Sequence, residues 1–252
     1  MRRLRTEERG FTLIEVLTAM TIGLIVSFAV FSLVEVVMRR SADISTRVDT
    51  TQRARTAMDQ ITRQLRSQVC TQRAGAAEGR TIDAASPTSI SVYADFSDET
   101  LNTSGQLPAP DLRKIAFDPV TRALTETVTK GTRDSVGYVV YGTAGTTRRI
   151  LGNVAATYFA DAPANTLPVV FRYFRYPNTT ATLKEPTEEI APLQNRALTA
   201  DELNDVARIE ISYRALNNRG QRAGSTVLEN SVYVRTFTPN NPDQVNPQCK
   251  AY

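Results

Sequence analysis

From Val16 to Val34 the chain runs nineteen residues without a charge, and no other feature restricts its fold as strongly. As a helix this run rises roughly 28 Å, close to the roughly 30 Å hydrocarbon core of a bilayer. One transmembrane span is the direct reading. A secretory signal peptide competes with it, but such a signal has an apolar region of roughly 7–15 residues followed by a small-x-small cleavage site. Here the apolar run passes into Glu35, Val36, Val37, Met38, Arg39 and Arg40 with no such site, which favours a span that stays attached.

The helix is expected to continue beyond the membrane. Ile44, Val48, Thr51, Ala54, Met58, Ile61, Leu65 and Val69 recur at steps of three and four, with Arg, Asp, Gln and Thr between them, the pattern of one apolar stripe. No Pro precedes Pro87 and no Gly lies between Gly23 and Gly75, so the spacing predicts one helix from about Phe11 to about Cys70. The stripe reads as the seam for a β-sheet. Glu35 and Arg39 stand in the favourable acid-before-base order and read as an interfacial pair without a functional role.

After Gly75 the texture changes to short strands and turns. Ser89–Phe96, Arg113–Phe117, Ala123–Thr129, Gly137–Tyr141, Val169–Tyr176, Arg208–Ala215 and Ser231–Phe237 are rich in β-branched and aromatic residues and read as strands. Ile209, Ile211 and Tyr213 alternate with Glu210, Ser212 and Arg214, as one buried face of an antiparallel sheet requires. Asp118-Pro119-Val120-Thr121 reads as a hairpin turn, residues 176–203 as a surface excursion, and residues 239–252 as an irregular tail.

The fold class expected is therefore α+β, a long N-terminal transmembrane helix packed on an antiparallel β-sheet head. The divisions are a leader at 1–10, a membrane half of the helix at 11–38, a soluble amphipathic half at 39–74, the head at 75–238 and the tail at 239–252.

Composition narrows the function. The 252 residues suffice to bury a core, and no cofactor is implied. The absence of His and Trp removes the usual general base and the commonest metal ligand; no catalytic constellation is legible and an enzyme is not expected. Lys and Arg total 30 against 26 Asp and Glu, too even a balance for a chain-wide nucleic-acid footprint. A local group, Arg148, Arg149, Arg172 and Arg175 with Tyr173 and Tyr176, could capture DNA by stacking or could be a solvated sheet face. Cys70 and Cys249, the two cysteines present, could form one bridge in an oxidising compartment or remain separate thiols.

The segment Gly10-Phe11-Thr12-Leu13-Ile14-Glu15-Val16-Leu17, behind a basic leader, resembles the processing signature of type IV prepilins and type II secretion pseudopilins. The resemblance implies cleavage between Gly10 and Phe11 by a prepilin peptidase, N-methylation of Phe11, and assembly with other pilin or pseudopilin subunits. It implies a single-pass protein of a bacterial inner membrane with a cytoplasmic N-terminus and an extracytoplasmic head. Glu15 lies inside the apolar stretch, where a carboxylate costs roughly 2.5–3.5 kcal/mol. In the family this glutamate is thought to pair with the N-terminal amine of a neighbouring subunit; the alternative here is that it snorkels to the cytoplasmic surface. The order of Arg113–Asp118, Arg122–Thr125, Ile150–Val154, Val206–Tyr213 and Val232–Arg235 is similar to large minor pilins and pseudopilins of the PilW and GspJ type. That implies a subunit that primes or tips a filament, with a DNA- or surface-binding tip pilin as the alternative. The calcium loop of some pseudopilins has no counterpart here, and no metal site is expected.

Overall fold

A computed structural model describes residues 11–75, 79–96, 108–157, 169–177, 185–190, 196–217 and 224–234. The leader 1–10, Cys249 and the tail 239–252 lie outside the described residues. The chain divides into two compact units, Met1–Thr46 and Arg47–Tyr252. Helix α1 (Leu13–Arg66) contributes to both.

In the first unit α1 is apolar and unburied: every residue from Phe11 to Ser45 is exposed. Two of its threonines turn back on the helix, Thr18 Oγ1 donating to the Glu15 carbonyl at 3.0 Å and Thr21 Oγ1 to those of Leu17 and Thr18 at 3.0 and 2.9 Å. Such local bonds satisfy polar side chains where water is absent. Arg39 bonds Glu35, as their spacing predicts.

In the second unit α1 turns a buried face to two sheets. The first sheet has the order β1 (Ile82–Ser86), β2 (Ser89–Ala94), β3 (Asp111–Asp118), β4 (Ala123–Thr129), then β7 (Thr146–Gly152). β5 (Gly131–Arg133) and β6 (Val139–Tyr141) form a separate pair. The second sheet runs β10 (Glu188–Glu189), β9 (Phe171–Arg175), β11 (Arg208–Ala215), β12 (Thr226–Tyr233), and β8 (Val154–Ala156) joins β11 beside β9. All these named strand pairs are antiparallel.

One core joins the helix to both sheets. Ala54, Met58, Ile61 and Leu65 of α1 meet Ile90, Ile115 and Leu124 of the first sheet and Phe171, Ile209, Ile211 and Tyr213 of the second. Tyr213 donates its hydroxyl to the Ala54 carbonyl at 2.8 Å, and burial pushes this phenol above its ordinary pKa. Tyr173 bonds the carbonyls of Ser86 and Ser89 at 2.9 and 3.2 Å, tying the second sheet to the β1–β2 turn.

Several expectations are corrected. The apolar seam begins at Thr50, because Ile44 and Val48 remain 62% and 49% exposed. The helix ends at Arg66, where the Ser67 N–H reaches the carbonyls of both Arg63 and Gln64. The chain beyond then leaves the helix for extended bridges, Val69 N–H bonding Tyr93 O at 2.9 Å. Ser212, expected on a solvated face, is buried. The strand predicted at Ser231–Phe237 begins earlier, as part of β12 (Thr226–Tyr233), and residues 235–237 of that prediction lie outside the described residues. The stretch 176–203 holds β10 and the start of α2 (Ala200–Asp205). The Asp118–Thr121 turn is present, its carboxylate accepting from Val120 N–H at 2.8 Å and Thr121 Oγ1 at 2.7 Å.

Helix α2 begins with a capping box, in which Thr199 Oγ1 accepts from Glu202 N–H and the Glu202 carboxylate accepts from Thr199 N–H. Arg196 and this cap hold the Glu202 pKa down at about 2. A depressed carboxylate contributes stability that is complete above its unfolded pKa, about 4.3, and is lost as pH falls through the folded value. We therefore expect α2 to keep its cap at pH 4 and loosen only near pH 2. A carboxyl NMR titration showing Glu202 protonating near pH 4 would contradict this.

Candidate functional site

Two places in the chain concentrate chemistry. The first is the start of α1. The carbonyl of Thr12 accepts from the N–H groups of Glu15 and Val16 at 3.0 and 3.2 Å, so the helix opens one residue after the Phe11–Thr12 peptide. Glu15 falls in its first turn, where the helix dipole favours an anion. Its side chain borders a depression lined also by Phe11, Val16, Ala19 and Met20. Among the described residues its carboxylate has no hydrogen-bond or ion-pair partner. Phe11 itself is 80% exposed. The apolar side chains, all open on the surface of one helix, are suited to a lipid or helix environment rather than to water, and in such an environment the carboxylate needs a cation.

The second place went unpredicted and lies between α1 and the first sheet. Glu126 on β4 is completely buried. Its carboxylate accepts from Gln60 Nε2 at 3.3 Å, Gln64 Nε2 at 2.6 Å, an Arg113 terminal nitrogen at 2.7 Å, and Arg148 Nε. Strand geometry brings these together: Glu126 is directly opposite Arg148 across the β4–β7 pair and diagonal to Arg113, whose cross-strand partner is Val128. Ile150 is the extra residue of a β7 bulge, so Arg148 and Leu151 can face the helix together, opposite Glu126 and Leu124. Asp111 continues the network, pairing with Arg113 at 3.2 Å and Lys130 at 3.0 Å. The available signal in the sequence was an acid between Leu124 and Val128 on an inward-facing register.

The remaining residues singled out from sequence scatter. Arg148 and Arg149 are on β7 of the first sheet, while Arg172 and Arg175 are on β9 of the second. Arg172 is held by Glu189 and Glu210, and Arg175 by Glu188 and Asp205. Those carboxylates are the reason the Arg172 and Arg175 pKa values stand above the ordinary one. Tyr173 is buried at 3% exposure and cannot stack on a base. The four arginines and two tyrosines are thus not one surface. Cys70 is half-buried past the end of α1, and its candidate partner Cys249 lies outside the described residues. Among the described residues no group of three or more potential metal-ligating side chains comes together.

Residues 5–31 match the family model of the prokaryotic N-terminal methylation motif. Neither the curated proteins nor the solved structures give a match to the chain. The matched segment is the prepilin-peptidase signal of type IV pilins and pseudopilins. With the exposed apolar helix that follows, it fits a membrane-anchored, pilin-like subunit built as an α+β protein.

Proposed function

We propose that this chain is a minor pilin or pseudopilin, cleaved between Gly10 and Phe11, methylated on Phe11, and incorporated into a type IV pilus-like filament that it primes or tips. The observation that carries this reading is the methylation motif at 5–31, leading into a helix whose residues 11–45 are all exposed. Water is a poor solvent for that surface, and two environments can cover it. Lipid serves before assembly, and the helices of neighbouring subunits serve afterwards.

Glu15 is the residue we assign to registration. Cleavage creates a cationic amine at Phe11, and a neighbouring subunit's amine offers Glu15 a partner that it lacks among the described residues. The head, residues 75–238, is then extracytoplasmic, the helix crosses the inner membrane once, and the partners are other subunits and the peptidase. An oxidising compartment also suits a bridge between Cys70 and Cys249. Thiol titration of unfolded, non-reduced protein is expected to find no reactive group before reductant and two after; two before reductant would dismiss the bridge.

The priming role has its own test. Deleting the gene is expected to abolish or sharply reduce filaments, while the protein in sheared filaments remains far below the major subunit in amount. Normal filaments without it, or a filament composed mainly of this chain, would exclude a minor priming subunit.

A further inference from the structure

We infer that the cleft between α1 and the first sheet is a binding site for an acidic peptide segment, which it takes by a single carboxylate. The cleft encloses about 540 Å³, within the roughly 300–1,000 Å³ of ligand pockets. Asp59, Gln60, Arg63 and Gln64 line it from α1, at the spacing of one helix face. That face is distinct from the one that Ala57, Met58, Ile61 and Leu65 bury in the core. Phe96, Arg113 and Arg148 line it from the sheet side.

The binding capacity is what Glu126 leaves over. Its carboxylate takes one nitrogen from each of Arg113 and Arg148, and so holds both cations at the cleft. The side chain of Arg148 stays 58% exposed, and its two terminal nitrogens have no acceptor among the described residues. Arg63 is exposed and likewise has no acceptor among them. These two guanidinium groups border one space, and planar forks of this kind recognise carboxylates in bidentate fashion. Phe96, 43% exposed, carries the Arg113 guanidinium at 4.4 Å from its ring centroid and presents apolar surface for the stem of a bound side chain.

The rest of the lining selects among anions. Asp59 is an exposed carboxylate on the same wall, able to accept from a peptide N–H but repelling a second negative charge. Three arginines against Asp59 and the buried Glu126 leave a surplus of one positive charge in the site. That suits one carboxylate on a neutral backbone and disfavours a phosphate carrying nearly two charges or a nucleic-acid strand. None of the residues lining the cleft belongs to the apolar part of α1 at 11–38, so binding here does not depend on assembly through that segment.

The test uses the full chain in detergent micelles, labelled with nitrogen-15, and follows the arginine Nε–Hε signals. The probes are the blocked peptide acetyl-Gly-Asp-Gly-amide, its Asn counterpart, and inorganic phosphate. We expect saturable shifts at Arg63 and Arg148 with the Asp peptide and binding at least about tenfold weaker for the Asn peptide and for phosphate. Arg63→Gln, which leaves the Glu126 network untouched, is expected to weaken the Asp peptide about tenfold with the melting temperature unchanged. Asp59→Asn is expected to narrow the gap between peptide and phosphate. Equal binding of the Asp and Asn peptides, phosphate binding as tightly as the Asp peptide, or shifts that rise without saturation would each overturn the assignment.

Discussion

Replacing Glu126 with alanine is expected to lower the unfolding free energy by about 3–5 kcal/mol, the usual cost of removing one partner from a buried ion pair. Domain stabilities are only about 5–15 kcal/mol, so the variant should be marginal at growth temperature. The loss has a definite origin. The Arg113 side chain is 15% exposed and would retain Asp111, at 3.2 Å, as its one carboxylate among the described residues, beside the Phe96 ring. Gln64, 3% exposed, already has an Oε1 with no partner among the described residues and would lose the acceptor for its Nε2 as well. Arg148 can return to water and adds little. Glu126→Gln, which keeps the volume and an acceptor, should cost less than alanine. A combined Glu126→Leu and Arg113→Met variant should be more stable than the sum of the single losses predicts, because it removes the unpaired cation together with the acid. Denaturant unfolding in micelles measures all of these, and an alanine variant within about 1 kcal/mol of wild type would contradict the network's importance.

The second large effect concerns assembly. Glu15→Ala is expected to reduce the share of protein recovered in sheared filaments by about tenfold or more, while leaving membrane insertion intact. A carboxylate at this depth costs roughly 2.5–3.5 kcal/mol unless it finds a cation. Alanine removes that cost in the membrane, so the monomer should accumulate there rather than disappear. What it removes from the filament is the ion pair that selects one axial alignment among similar apolar ones. Glu15→Gln should behave like alanine if charge pairing is the cause. Wild-type incorporation of the alanine variant would remove Glu15 from the assembly mechanism.

The exposed apolar part of the helix was legible because a charge-free run of this length constrains every residue along it. The amphipathic half was legible in kind but misplaced in extent. Ile44 and Val48 obey the helical period as well as Met58 and Ile61 do, and only the reach of the sheets decides that they stay exposed. The end at Arg66 was hidden for a related reason, since Val69 leaves the helix to bond Tyr93, twenty-four residues away in sequence. Strand β11 announced itself through Ile209, Ile211 and Tyr213. β7 did not, because Thr146, Thr147, Arg148 and Arg149 are exposed and carry no apolar alternation. β12 was shifted because its inward residue Asn230 is polar, donating to Thr62 Oγ1 at 2.9 Å. Thr199 and Glu202 did carry a capping-box signal for α2, within a stretch whose composition suggested a loop. The N-terminal signal is local and therefore readable. Glu126 is the opposite case: its partners Gln64, Arg113 and Arg148 come from three other elements, and no local pattern joins them.

Whether the chain is processed and assembled is read most directly from the mass and N-terminal sequence of the protein isolated from its own cells, from membranes and from any sheared filaments. Processing before assembly requires a chain that begins at Phe11 and carries a methyl group on that amine. A chain that still begins with residues 1–10 in both fractions would contradict it.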